Sequence, residues 1–341
     1  MSAATLADLL RASRGFGHKT DIAGLLARLQ QALPAGAQAE ARGILLGDDC
    51  AAIADGDSHL LFAIEGMVGD FLRAMPWFAG YSAVMVNVSD IYAMGGRPLA
   101  VVDAIWSEGL DPADEVVRGM AAAAAAYGVP LVGGHSNARS DGPQLAVAIL
   151  GRARRLLTSF GARPGQRLLM AVDLRGRFEE PYPYWNATTG VPGARLRADL
   201  ELLPALAEDG LCAAAKDISM AGAVGTALML MECSGVGGTI DLDALPIPPG
   251  VPLPRWLSAF PSYGFLLAVD AADAATVAAR FHARGLACAE IGMLDASRRV
   301  TIAQAGERAL LWDFGCEPFI LPRPAAAGLP PAGIDAVPLG A

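Results

Sequence analysis

Alternating apolar and turn-forming segments in the first half of the chain predict a hairpin followed by a buried helix. Two short apolar runs, residues 50–53 and 60–64, flank Asp55-Gly56-Asp57. Aspartate and glycine favour the tight turn between paired strands, so this segment predicts a β-hairpin. Residues 79–94 are apolar on more than one side and are followed by Gly95-Gly96, which predicts a largely buried helix with a glycine cap.

The pattern continues with a strand, a helix and two more strands. An apolar run at residues 99–106 predicts the strand. Asp111 and Pro112 stand where an N-cap and the first helical position are expected, and Gly128 stands where that helix would end. Apolar runs at residues 129–132 and 145–150 predict two short buried strands.

A second set of elements begins after the turn sequence Gly161-Ala162-Arg163-Pro164-Gly165. Two segments rich in turn-forming residues, 176–195 and 246–254, are expected to be loops, and the first is either a lid or a surface excursion. Strands and helices do not alternate strictly, so the expected fold class is α+β. We expect strands at residues 167–172, 212–217, 264–270 and 287–294, and helices at residues 221–232 and 271–284.

The length of the chain predicts two domains, because 341 residues exceed what one hydrophobic core usually serves. A basic segment and a turn separate the two sets of elements. We therefore place an N-terminal domain at residues 1–157, a C-terminal domain at residues 158–321 and an extended tail at residues 322–341.

Composition argues against several classes of protein. Hydrophobic residues make up 53% of the chain, too many for a disordered protein, and glycine and proline interrupt the longest charge-free stretch, so we expect no membrane segment. A net charge of -9 argues against a nucleic-acid partner. The five cysteines form no C-x-x-C pair and the N-terminus shows no secretory signal, so we expect a cytoplasmic protein.

Aspartates stand at three places where a carboxylate is unusual. Asp48 and Asp49 precede the hairpin, Asp90 lies in the apolar helix one turn from Asn87, and Asp217 ends an apolar strand. A buried carboxylate is costly unless it is paired or binds a cation. The alternatives are a solvated turn at the first pair, a loop cap at Asp90 and a helix N-cap at Asp217. Together these oxygen ligands suit Mg²⁺ rather than zinc, and magnesium suggests phosphate chemistry.

Two glycine-rich segments are candidates for phosphate contacts. Gly133-Gly134-His135-Ser136-Asn137 follows a strand, and its glycines leave backbone N–H groups accessible; a simple turn is the alternative. His135 is either a metal ligand or base, or a histidine held in structural hydrogen bonds. Gly15-Phe16-Gly17-His18-Lys19-Thr20 lacks the glycine spacing of a P-loop and is expected to be a mobile arm with one cation or an ordinary surface loop.

Taken in order, these motifs resemble the aminoimidazole ribonucleotide (AIR) synthase superfamily, which includes AIR synthase, thiamine-monophosphate kinase, selenophosphate synthetase and the hydrogenase-maturation dehydratase. The motif that begins Asn87-Val88-Ser89-Asp90 and ends Gly95-Gly96-Arg97-Pro98 is similar to the N-S-D-x-x-A-M-G-x-x-P signature of the second and third of these enzymes. The similarity is also carried by Gly47-Asp48-Asp49-Cys50-Ala51-Ala52, Gly133-Gly134-His135-Ser136 and Asp217-Ile218-Ser219.

The resemblance implies a two-domain AIR synthase-like fold and a homodimer whose N-terminal sheets pair into a shared barrel. It also implies a site for ATP and Mg²⁺ beside the C-terminal α+β domain, and ATP-dependent phosphoryl transfer to a small-molecule acceptor. Carried over by position, the magnesium ligands would be Asp48, Asp49, Glu65, Asp90 and Asp217, the nucleotide contacts would be Asn87, Gly133, Gly134 and Ser136, and the catalytic residues would be Lys19 and His135.

Departures from the family pattern set this chain apart from the named activities. Glu65 stands where the family usually has aspartate, His135 replaces the aspartate of G-G-D-T as in selenophosphate synthetases, and Met220 replaces the second acid of the kinase motif D-I-S-D-G. Lys19 keeps the lysine of the selenophosphate synthetase arm, but that segment has no cysteine. The sequence therefore does not identify the acceptor. The alternative hypothesis is a nucleotide-binding regulator or maturation partner without turnover.

Overall fold

The computed structural model describes residues 1–33 and 44–322, which form two large sheets, a small third sheet and the helices around them. The tail expected at residues 322–341 lies outside the described residues apart from Pro322. No helix in the described parts of the chain is both long and apolar enough to cross a membrane.

The first large sheet has five strands in the order β1-β2-β5-β3-β4. The expected hairpin is confirmed, since β1 and β2 pair antiparallel around Asp55 and Ser58. Strand β4 pairs parallel to β3 at one edge, whereas β5 pairs antiparallel to both of its neighbours. The strands are β1 (Ala51–Asp55), β2 (Ser58–Met67), β3 (Arg97–Trp106), β4 (Leu131–Asn137) and β5 (Gln144–Ala153).

Helices α3 (Gly69–Ala74), α4 (Pro76–Ala93) and α5 (Leu110–Tyr127) belong to the same half of the chain. Helix α4 is buried almost along its whole length, as its apolar sequence predicts, between the sheet and α5. The two helices approach closely because glycine stands at the crossing: a Cβ on Gly119 would lie 1.9 Å from the Trp77 carbonyl oxygen.

The second large sheet has seven strands in the order β15-β14-β10-β13-β6-β12-β9. Its two faces alternate along each strand, so that Leu168 and Met170 pack on one side while Leu169 and Ala171 pack on the other. The strands are β6 (Arg167–Val172), β9 (Ala214–Asp217), β10 (Gly237–Asp241), β12 (Gly264–Val269), β13 (Ala287–Asp295), β14 (Arg299–Gln304) and β15 (Glu307–Asp313). Helices α8 (Gly222–Cys233) and α10 (Ala274–His282) pack on this sheet. Helix α6 (Gly193–Leu200) lies against α5, and α7 (Leu202–Glu208) lies against α4, α6 and α10.

The N-terminal segment packs against the second sheet rather than the first. Helix α1 (Ala3–Arg11) is fixed by Arg11, whose guanidinium donates to the carbonyl oxygens of Leu310 and Leu311. The segment containing Lys19, expected to be an arm or loop, is part of helix α2 (Arg14–Ala32), so that prediction was wrong. Glycine in this segment favours a loop, but Gly15 lies inside the helix. A Cβ atom at position 15 would lie 2.5 Å from the Met220 carbonyl oxygen, so glycine is needed where α2 packs on this part of the chain.

Two other loop predictions were also wrong in part. Residues 176–195 contain β7 (Arg177–Phe178) and β8 (Tyr184–Asn186), which form a small sheet with β11 (Phe260–Pro261), and they also contain the start of α6. The proline-rich segment 246–254 leads into helix α9 (Leu253–Leu257). The alternative of a simple turn at residues 133–137 does not hold, because this segment lies within strand β4, where the parallel ladder with β3 supplies its hydrogen bonds.

Candidate functional site

A cavity of about 410 Å³ lies between the two halves of the chain. Its wall is formed by helices α2 and α4, the end of strand β2, the segment before β1 and the turn from β9 into α8. Six of the charged residues singled out from the sequence line it: Lys19, Asp48, Asp49, Glu65, Asp90 and Asp217.

Three of these aspartates meet at one point. One carboxylate oxygen each from Asp49, Asp90 and Asp217 lies within 4.8 Å of the other two. They come from the segment before β1, from the C-terminal half of helix α4 and from the end of strand β9. The arrangement therefore offers oxygen ligands from three different elements to one divalent cation.

Asp90 carries the strongest signal within this cluster. Its side chain is buried on α4, and its Oδ2 atom has no hydrogen-bond partner among the described residues. Burial raises the pKa of Asp90 well above its usual range, and the negative charges of Asp217 and Glu65 raise it further. The alternative role of Asp90, a cap on a neighbouring loop, is not observed among the described residues. A buried carboxylate oxygen without a hydrogen-bond donor is what a cation-binding position requires.

Lys216 supplies a positive charge that sequence reasoning missed. Its ammonium pairs with Asp49, and both side chains are only 5% exposed. Burial alone would lower the pKa of Lys216, but the negative charges of Asp49 and Asp48 outweigh burial and raise it. The available signal was a lysine within the otherwise apolar strand Ala214-Ala215-Lys216, directly before Asp217.

Asp217 is fixed by the same pair. Its backbone N–H donates to Asp49 Oδ2 over 3.3 Å. Burial raises the pKa of Asp217 to about 8, and the charge of Asp49 contributes in the same direction. The carboxylate of Asp217 therefore faces the cluster, which the N-cap alternative would not require.

Asp48 has a different environment from its neighbour. Its Oδ2 accepts hydrogen bonds from Thr158 Oγ1 at 2.7 Å and from the Ser159 N–H at 2.9 Å, and its Oδ1 accepts from Ser159 Oγ at 2.6 Å. Both oxygens are thus occupied by donors from the segment that joins the two halves, and the carboxylate lies outside the cluster of three. Asp48 ties that connecting segment to the wall of the cavity.

Lys19 reaches the cavity from helix α2. Gly15, one turn earlier on the same face, allows the helix to approach the backbone at Met220, and this places Lys19 beside the end of β9. Burial and repulsion from Lys216 lower the pKa of Lys19, while Asp217 and Glu65 act in the opposite direction. Lys19 therefore lies beside the carboxylate cluster, within reach of the charges of Asp217 and Glu65.

Glu65 and Ser219 complete the polar part of the wall. Glu65 lies near the end of strand β2 and lines the cavity, as expected of a residue in a family acid position. Ser219 follows β9, and its buried hydroxyl has no hydrogen-bond partner among the described residues.

The remaining candidates lie outside the cavity of their own chain. Asn87 is fully buried in α4, and its amide donates to the carbonyl oxygens of Ala83 and Val147. Strand β4 is exposed along its whole length at the edge of the first sheet, and the His135 ring lies 5.7 Å from that of Trp106. None of its candidates, Gly133, Gly134, His135 and Ser136, lines the cavity.

Comparison with known protein families gives the identity of both halves. Residues 47–153 match the family described as "AIR synthase related protein, N-terminal domain", and residues 189–304 match "AIR synthase related protein, C-terminal domain". The chain belongs to the AIR synthase related family. The N-terminal AIR synthase domain thus contains the five-stranded sheet, and most of the seven-stranded sheet belongs to the C-terminal one.

Individual relatives agree with the family match. The chain is 46% identical over 310 residues to the Synechocystis sp. protein named "Uncharacterized protein sll0787", covering 91% of this chain and 95% of that protein. It is 34% identical over 138 residues to the thiamine-monophosphate kinase of Pyrococcus abyssi, covering 38% of this chain and 43% of the kinase. It is 31% identical over 199 residues to the selenide, water dikinase of Pseudomonas putida, covering 52% of this chain and 54% of the dikinase.

A solved structure shows the same fold. The structure titled "T. maritima PurL complexed with ATP" superposes with a TM-score of 0.69 at 19% identity, covering 84% of this AIR synthase related chain. The chain spans 49% of the length of that PurL chain. The two-domain AIR synthase-like α+β fold implied by the sequence motifs is confirmed.

Proposed function

We propose that this protein binds ATP with Mg²⁺ and transfers the terminal phosphoryl group to a small-molecule acceptor. The observation that carries the proposal is the convergence of Asp49, Asp90 and Asp217, with the unpartnered oxygen of Asp90, in a cavity that Lys19 also lines. Relatives named as a thiamine-monophosphate kinase and a selenide, water dikinase support this reaction class.

The residues of the cluster fit magnesium. The ligands are carboxylate oxygens, which Mg²⁺ prefers, and a cation there would supply the partner that Asp90 Oδ2 lacks. We assign Asp49, Asp90 and Asp217 as ligands and Glu65 as a supporting acid at the end of β2. Asp48 is left out of this set because protein donors occupy both of its oxygens.

The chemistry relies on positioning and charge. Bound magnesium supplies neutralisation of the phosphate charge, which is the main requirement of phosphoryl transfer. Lys19 adds a second positive charge at the cavity wall. Its position is set by the packing of α2 against the turn between β9 and α8. Lys216 pairs with Asp49 and compensates its negative charge. This pairing reduces the repulsion among the carboxylates of Asp49, Asp90 and Asp217.

We also propose a homodimer. Phe62 and Ile64 on β2 are 50% and 65% exposed, although their neighbours Leu61 and Ala63 on the opposite face are buried. Phe62 lies opposite Leu150 on β5, so the exposed apolar side chains form a continuous strip across the sheet. Pairing of two such faces would cover the strip. The phosphate contacts proposed for Gly133, Gly134 and Ser136 require such a second copy, because these residues do not line the cavity of their own chain.

Release of ADP tests the reaction. Purified protein is incubated with ATP, with and without Mg²⁺, and with a panel of candidate acceptors, and ADP is measured over time. We expect magnesium-dependent release that an acceptor stimulates, and a loss of at least about tenfold in Lys19→Met, where a charge at the cavity is removed. Arg28→Met, on the exposed side of the same helix, is the matched control.

The other outcomes are also decisive. Binding of Mg-ATP without release of ADP under any of these conditions would favour the regulator or maturation partner. Equal ADP release by Lys19→Met and Arg28→Met would remove Lys19 from the catalytic assignment.

A further inference from the structure

The cavity is elongated along helix α4. Phe78, Ser82, Val86 and Asp90 line it at four-residue intervals and so lie on one face of the helix. With a rise of 1.5 Å per residue, Phe78 and Asp90 stand roughly 18 Å apart along the helix axis. One end of the cavity is therefore at the carboxylate cluster and the other is at the start of α4.

The two ends differ in charge. Apolar side chains such as Met67, Phe71 and Phe78 form the far end. Arg14, at the start of α2, donates to His18 and does not line the cavity. The charged residues of the lining and its histidine belong to the carboxylate end or to helix α2, whereas the far end holds the titratable Tyr184. The first set is His18, Lys19, Asp48, Asp49, Glu65, Asp90, Lys216 and Asp217.

Aromatic rings wall the far end. The ring centroid of Phe71 lies 4.9 Å from that of Tyr184 and 6.0 Å from that of Phe78, and Phe260 lies 6.1 Å from Tyr184. Tyr182 stacks on Tyr184 at 5.1 Å with an interplanar angle of 7°.

The small third sheet holds two of these rings in place. Phe260 on β11 pairs in register with Tyr184 on β8, so the backbone fixes their spacing. Both side chains are only partly buried, which leaves ring surface available to a ligand, whereas Phe71 and Phe78 behind them are buried.

We propose that the far end binds an uncharged apolar ring, and that this ring is the body of the phosphoryl acceptor. The inference rests on the proposed function for the identity of the ligand as acceptor. A ring of this kind would pack against Tyr184 and Phe260, with the group that receives the phosphoryl directed toward Asp90. A charge on the ring would lose its hydration among these apolar side chains. Arg14, whose positive charge acts on Tyr184, does not line the cavity.

The experiment uses three probes that share the benzyl alcohol ring, two of which carry a charged group para to the hydroxymethyl group: benzyl alcohol, 4-(hydroxymethyl)benzoate and 4-(hydroxymethyl)benzylamine. Binding to the full chain is measured by saturation-transfer NMR without nucleotide. Benzyl alcohol is expected to bind, and both charged probes are expected to bind at least about tenfold more weakly, because each places its charge at the apolar end. Phe260→Leu should weaken the binding of benzyl alcohol, and Leu110→Val, at the exposed start of α5 and outside the cavity lining, should not.

Each other result overturns part of the inference. Equal or tighter binding of either charged probe would contradict an uncharged far end; a tighter amine would show that the carboxylates dominate recognition. The measurement is then repeated with Mg-AMPPCP. If benzyl alcohol still binds in the presence of Mg-AMPPCP, the far end is an acceptor site. If Mg-AMPPCP displaces benzyl alcohol, the far end binds adenine and the proposal that it binds the acceptor is wrong. If the nucleotide fails to bind, the proposed function fails while the ring site is still tested by the first measurement.

Discussion

At the scale of single residues, the buried pair of Lys216 and Asp49 sets the charge of the cavity. Removing one partner leaves the other as an uncompensated buried charge, which typically costs about 3–5 kcal/mol. Lys216→Met should therefore lower the free energy of unfolding by an amount of this order, measured by urea denaturation. Arg118→Met is the control, since its ion pair with Asp114 is 59% and 64% exposed and should matter by less than about 1 kcal/mol.

The double variant separates the pair from other effects of the substitution. If the charge of Asp49 causes the loss, adding Asp49→Asn to Lys216→Met should restore part of the stability. A further loss equal to that of Asp49→Asn alone would mean that the two residues act independently.

Titration of Asp217 predicts how stability depends on pH. Its pKa is raised from 3.8 to about 8 in the folded protein, so the folded state keeps a proton that the unfolded state releases. Stability of the metal-free protein should therefore fall as pH rises from about 4 to about 8. Urea denaturation in EDTA across this range measures the slope. Asp217→Asn should reduce the slope without abolishing it, because the pKa values of Asp90 and Asp49 are also raised by burial. Asp55→Asn on the hairpin should leave the slope unchanged, and a slope of opposite sign would contradict the protonated state of Asp217.

Sequence reasoning at this scale found acids but not their partners. Asp49, Asp90 and Asp217 stood out because a carboxylate among apolar residues is costly. Lys216 and Ser219 did not, because their roles depend on which strand ends meet in space. Asp48 shares the motif of Asp49, and only the structure shows Thr158 and Ser159 donating to it.

At the scale of elements, the contact of α4 with α5 depends on glycine. A Cβ at Gly119 would lie 1.9 Å from the Trp77 carbonyl oxygen, so Gly119→Ala must push the helices apart. We expect a loss of about 1–3 kcal/mol or more in the free energy of unfolding. Gly17→Ala is the control, because Gly17 is also helical but meets nothing within 4 Å; it should gain up to about 1 kcal/mol. Equal effects of the two substitutions would contradict the close packing.

Elements with a strong local pattern were predictable, and those that depend on tertiary contacts were not. The hairpin and α4 follow from turn residues and an apolar run. The segment at Gly15 was misassigned because glycine is locally typical of loops, whereas in the structure it permits close packing of α2. The segment at Gly133 follows a predicted strand, and in the structure it continues that strand at the edge of the sheet. The short strands β8 and β11 are only three and two residues long, too short to show a periodic pattern.

At the scale of the whole molecule, the exposed apolar strip predicts self-association. Phe62→Asp places a charge in the middle of the strip and should convert a dimer into a monomer, measured by light scattering at micromolar concentration. Leu110→Asp is the control, because Leu110 is 78% exposed at the start of α5 and lies outside the sheet. A monomeric unsubstituted protein, or a dimer in both variants, would contradict pairing through this face.

The central claim is that the cluster of Asp49, Asp90 and Asp217 binds the magnesium of Mg-ATP. Asp90→Asn keeps the shape of the side chain and removes its charge. Since the carboxylate is buried, the variant should be no less stable without metal, but it should lose a ligand. Asp111→Asn, in the first turn of α5 and away from the cavity lining, is the matched control.

Calorimetric titration of the three proteins with Mg-ATP tests this claim most directly. We expect binding by the unsubstituted protein and by Asp111→Asn, and an affinity at least about tenfold weaker for Asp90→Asn. Equal affinity of Asp90→Asn and the unsubstituted protein would contradict the metal assignment, and absence of binding by all three would contradict the use of ATP.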